Sequence, residues 1–98
     1  MQPEAKIVKD IQAYIRQEGG WCFKVHGGDN PFQRVGIPDL LCCVEGQFIG
    51  LEVKQPGEEP SRVQRKVLRE IGAAGGITAV VTTVGEVADL LGDIWEGS

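Results

Sequence analysis

The sequence predicts an α/β domain with helices packed on a central sheet, and three observations carry that expectation. Two segments place apolar residues at helical spacing, and each stops at a glycine pair, Gly19-Gly20 or Gly75-Gly76. Four short stretches are rich in β-branched and aromatic residues, as strands are. The resulting order is helix, three strands, helix, strand, helix. At 98 residues the chain is expected to be one domain, of a size that gains from pairing with a second copy, so a homo-oligomer is expected.

In the first helix Pro3 suits the opening turn, and Glu4, Ile7, Val8, Ile11 and Ile15 share one stripe. Trp21 to Val25 reads as a strand running into His26-Gly27-Gly28-Asp29-Asn30-Pro31, a loop that extends to about Pro38. Leu40 to Val44 and Gln47 to Val53 are two strands joined at Glu45-Gly46, a two-residue hairpin turn. Ser61-Arg62-Val63-Gln64 matches a capping box and opens a helix whose apolar positions are Val67, Leu68, Ile71 and Ala74. Ile77 to Thr83 is nearly continuous in apolar and β-branched residues, the pattern of an interior strand. Glu86 to Trp95 reads as a terminal helix or two short turns.

An apolar fraction of 42% and a charged fraction of 24% are those of a soluble globular protein and exclude disordered and collagen-like classes. Met1 to Asp10 alternates polar and apolar residues, so neither a membrane span nor a signal peptide is expected, and the expected location is the cytoplasm. Cys22, Cys42 and Cys43 form no CxxC, and the single histidine, His26, is not at zinc-ligand spacing; the thiols are expected to be reduced, half-buried and structural. Trp21, Phe48 and Trp95 are assigned to core or interface. The net charge of −4 speaks against nucleic-acid binding only as an average. Glu86, Asp89, Asp93 and Glu96 hold the C-terminal acids, whereas Arg62, Arg65, Lys66 and Arg69 make the second helix basic.

The hairpin carries the chemistry. With Glu45-Gly46 as the turn, Val44 faces Gln47, and the register sets Asp39 directly opposite Glu52. Opposed like charges destabilise a sheet. A divalent cation between them reverses that sign, because Mg²⁺ and Mn²⁺ accept one or two carboxylates with water and phosphate oxygens. Lys54, two residues beyond Glu52, shares its face, whereas Leu40, Cys42, Val44, Ile49, Leu51 and Val53 form the opposite, apolar face.

Ile37-Pro38-Asp39, twelve residues, then Glu52-Val53-Lys54 resembles the PD-(D/E)xK motif of the restriction-endonuclease-like superfamily. More narrowly, Gly36-Ile37-Pro38-Asp39, Phe48 to Lys54 and Gln64 four residues before Leu68 resemble the VRR-Nuc (virus-type replication-repair nuclease) domain, from Glu4 to about Glu86. The resemblance implies an αβββαβ core with a central mixed sheet flanked by helices. It also implies a Mg²⁺- or Mn²⁺-dependent DNA endonuclease selective for branched DNA, working as a homodimer in a bacterial cell or phage-infected host. Asp39, Glu52, the Val53 carbonyl and Glu4 would hold the metal. Lys54 would orient or activate the attacking water, and Gln64 would help position Lys54 or that water.

Alternatives stand beside several of these roles. Glu4 also suits the dipole of a helix N-terminus, and Gln64 also serves as capping-box partner of Ser61. Arg62, Arg65, Lys66 and Arg69 are expected at the DNA backbone or simply in solvent. Lys24, His26 and Arg34, on or beside the glycine-rich loop, have the same two readings. The rival function is a non-catalytic nucleic-acid-binding or assembly module on the same fold. A sequence-specific restriction enzyme would need reading elements for which the chain is too short.

Overall fold

The computed structural model describes residues 2–26 and 34–96; the rest of the expected glycine-rich loop, 27–33, lies outside the described residues. The elements are α1 (Glu4–Gln17), β1 (Trp21–Lys24), β2 (Leu40–Val44), β3 (Gln47–Val53), α2 (Arg62–Ala73), β4 (Ile77–Val81) and α3 (Val84–Glu96). The sheet order is β1-β2-β3-β4, antiparallel except for the parallel β3–β4 pair. Among the described residues no helix is long and apolar enough to cross a membrane.

The β2–β3 hairpin follows from its turn. Glu45 and Gly46 both have positive φ, 51° and 75°, the combination that matches the twist of two-residue hairpins. The register runs from Val44↔Gln47 to Leu40↔Leu51, as the turn length requires. On one face Leu40, Cys42, Val44, Ile49, Leu51 and Val53 are buried against Ile7, Val8, Ile11 and Ile15 of α1 and Val87 and Leu91 of α3. Burial of each such isoleucine or leucine is worth roughly 1.5–3 kcal/mol.

The other face meets α2. A Cβ on Gly50 would lie 3.1 Å from Pro38 Cγ and 3.3 Å from Ile71 Cδ1, so the missing side chain lets both close on the central strand. Gly36, at φ +89°, brings the segment before Asp39 against the first turn of α2; a Cβ there would lie 2.6 Å from Val63 Cγ1. The strand end and the helix start are thereby locked together.

Several expectations are corrected. β4 is an edge strand and ends at Val81; its apolar run is explained by coverage from α2 and α3, not by strands on both sides. α3 is one continuous helix beginning at Val84, because Thr83 Oγ1 accepts from the Glu86 amide and starts it early. Of the three aromatics assigned to core or interface, Trp95 packs against the core, whereas Trp21 and Phe48 lie outside it, 61% and 44% exposed, since α2 covers only the β3–β4 side of its face. The thiols divide rather than being uniformly half-buried. Cys22 and Cys42 are buried cross-strand partners, with burial pushing the Cys42 thiol up to about 12, and Cys43 is exposed.

Candidate active site

The paired register ends at Leu40↔Leu51, and just beyond it Asp39, immediately before β2, lies beside Glu52 at the open end of the ladder. Two contacts fix Asp39. Its carbonyl accepts from the Val25 amide at 2.9 Å, prolonging the β1–β2 ladder, and its Oδ2 accepts from the Val53 amide at 2.7 Å. Glu52 lies on the α2 face of the central strand and is 1% exposed, the one charged residue in the interior among the described residues. Its Oε1 accepts from Gln64 Nε2 at 3.1 Å, whereas its Oε2 is buried and has no hydrogen-bond partner.

Gln64 is the capping-box partner of Ser61, its Oε1 accepting from the Ser61 amide, and its Nε2 holds Glu52 rather than Lys54. One side chain thus ties the start of α2 to the central strand. The contact is to the carboxylate itself.

Burial pushes the Glu52 carboxyl up to about 8, helped by the Asp39 carboxylate close enough to share a proton and by Glu4, and opposed by Lys54. Glu4, at the start of α1, is also raised, first by burial and then by Asp39, with Lys54 opposing and Glu58 adding. Asp39, Glu52, Lys54 and Glu4 therefore feel one another at one end of the sheet. Lys54 follows β3 directly, its amide bonded to the Val81 carbonyl at 3.0 Å. No three His, Cys, Asp or Glu side chains form a ready-made ligand cluster among the described residues.

A divalent cation fits the chemistry of this pair. A buried carboxylate oxygen without a donor is costly unless neutralised, and two facing acids can be bridged only by a proton or a cation. Carboxylate, backbone carbonyl and water are the donors that Mg²⁺ or Mn²⁺ takes. Val53, whose carbonyl is a candidate ligand, ends β3 next to Glu52, with its side chain fully buried in the core and its amide bonded to Asp39 Oδ2.

The seven residues expected at DNA do not converge equally. Arg65 is held by Glu59 at 2.7 Å and by the Pro60 carbonyl, and Arg34 is paired with Glu70. Arg62, Lys66 and Arg69 have no ion pair among the described residues and, with Arg65, line a cavity of about 410 Å³ on α2. Lys24 ends β1, and both it and His26 are exposed. Sequence reasoning missed Gln55, whose side chain donates to the Gln2 carbonyl, and Glu58, which accepts from the Gln55 amide; no periodicity marks either.

No family model and no curated protein matches the sequence. Among solved structures the chain is similar to one described as a VRR_NUC domain, with 24% identity over 90% of this chain and 92% of that one and a TM-score of 0.75. The fold is that of a VRR_NUC domain. It is also similar to Archaeoglobus fulgidus Hjc, described as a Holliday junction resolvase from an archaeal hyperthermophile, at 19% identity over 81% of this chain and 67% of that one, with a TM-score of 0.59. In this fold the two acids lie where the hairpin opens, and Glu52 is held from the start of α2 by Gln64.

Proposed function

We propose that the protein is a divalent-metal-dependent DNA endonuclease that hydrolyses phosphodiester bonds in branched DNA. The observation that carries the reading is Glu52: a fully buried carboxylate with one oxygen lacking a donor, set opposite Asp39 and beside Lys54. Asp39, Glu52, the Val53 carbonyl and Glu4 would hold Mg²⁺ or Mn²⁺. Such an ion, when bound, lowers the pKa of a coordinated water and offsets charge on the phosphoryl oxygens. Gln64 keeps Glu52 in its rotamer. Lys54 holds the attacking water and places a positive charge where the pentacoordinate transition state becomes more negative.

Preference for branched DNA draws on the Hjc neighbour, described as a Holliday junction resolvase. Arg62, Lys66 and Arg69, free of ion pairs among the described residues, supply phosphate contacts that carry no sequence information. A homodimer suits a four-way substrate, since two symmetry-related sites address two strands. Exposed Trp21, Phe23 and Phe48, beside the sheet area that α2 leaves open, are the surface we assign to the second copy.

A cleavage panel on linear, flapped and four-way DNA tests this reading. With Mg²⁺ or Mn²⁺ the four-way substrate is expected to be cut fastest, and EDTA to stop cutting. DNA binding that persists in EDTA, without cleavage in any metal, would establish the non-catalytic module instead.

A further inference from the structure

We infer that Gln55 is a positioning residue that holds Glu4 at the metal site. The inference rests on the reading of Glu4 as a ligand. α1 opens without a side-chain cap, because its N-cap is Pro3, and only the Lys6 and Ile7 amides turn back to the Pro3 carbonyl. Glu4 itself accepts no hydrogen bond among the described residues, and it sits among other acids, Asp39 and Glu58, that push on its charge. Left alone, the first turn of a helix frays, and repulsion would turn this carboxylate outward.

Gln55 opposes both tendencies. Its Nε2 donates to the Gln2 carbonyl at 2.8 Å, two residues before Glu4. Its backbone is closed into a turn: the Gln55 amide donates to Glu58 Oε1 at 3.1 Å and the Glu58 amide to the Gln55 carbonyl at 3.0 Å. That turn begins where the central strand stops, one residue after Lys54, whose amide is tied to β4. The path from Glu52 and Lys54 through Gln55 to the start of α1 thus contains a rigid strand, a hydrogen-bonded turn and one side-chain bond. That side-chain hydrogen bond ties the segment before α1 to the end of the central strand.

Mn²⁺ titration of the full chain by calorimetry, without DNA, tests the inference through a double-mutant cycle. Gln55→Ala is expected to weaken Mn²⁺ binding about 3- to 10-fold. Glu4→Ala is expected to weaken it too, and adding Gln55→Ala to Glu4→Ala to change nothing further, because one residue acts through the other. In metal-free protein, Gln55→Ala is expected to speed hydrogen exchange at the Lys6 and Ile7 amides while leaving the melting temperature within about 2 °C, a surface hydrogen bond being a small part of the total. Wild-type Mn²⁺ affinity in Gln55→Ala, or losses that simply add in the double variant, overturns the inference. If Glu4→Ala retains wild-type affinity, the ligand reading of Glu4 falls and takes this inference with it. If Glu4→Ala weakens binding and Gln55→Ala does not, only the inference falls.

Discussion

Lys54→Ala is expected to slow single-turnover cleavage of a four-way junction by about 10²–10³-fold while DNA affinity, measured with Ca²⁺, changes little. Removal of one preorganised charge or donor aimed at a developing oxyanion typically has an effect of that size. Lys54 is suited to such a role, since it leaves the end of the central strand beside Glu52 and its charge is felt at both Glu52 and Glu4. A loss confined to rate marks an interaction made in the transition state; weakened DNA binding with an unchanged rate marks a mere phosphate contact. Glu52→Ala is expected to be at least as severe, because it removes the buried member of the acid pair. Undiminished cutting by both variants would remove the site from the mechanism.

The second large effect is on stability. In EDTA the melting temperature is expected to fall by on the order of 10 °C between pH 5 and pH 8. Glu52 is raised in the folded protein from 4.5 to about 8, so within that window the native state keeps a proton that the unfolded chain has released. The stabilising contribution is therefore complete below pH 4.5 and disappears as pH climbs through 8. Glu4, raised in the same direction, adds to the trend. Mn²⁺ at pH 8 is expected to restore the lost stability by taking the place of the proton. Glu52→Gln, which cannot titrate yet still accepts from Gln64, is expected to flatten the pH dependence and abolish the Mn²⁺ effect. Scanning fluorimetry across pH reads both.

The hairpin was legible in the sequence because its geometry is local. A two-residue turn at Glu45-Gly46 dictates every partner along β2 and β3, and alternation then decides which side chains share the core. Asp39 opposite Glu52 follows from that arithmetic alone. The capping box was equally local, yet its extension from Gln64 to Glu52 was not, since it depends on how α2 lies across the sheet. The position of β4 was misjudged for the same reason. A continuous apolar run suggests burial without saying whether strands or helices provide it, and here α2 and α3 cover β4 only in part, leaving Val80 exposed. For Trp21 and Phe48 the choice between core and interface was open in the sequence, because hydrophobicity cannot reveal that one helix covers half a sheet face. The bond from Gln55 to Gln2 spans 53 positions and involves a backbone carbonyl, so no pattern of residue types announces it.

The central claim is that the opposed acids of the hairpin hold a divalent ion. Anomalous diffraction from a crystal soaked in Mn²⁺ tests it most directly. A manganese peak between the Asp39 and Glu52 carboxylates, with the Val53 carbonyl in its coordination shell, is the predicted result. A difference map with no peak between those two carboxylates, at a Mn²⁺ concentration that supports cleavage, would contradict it.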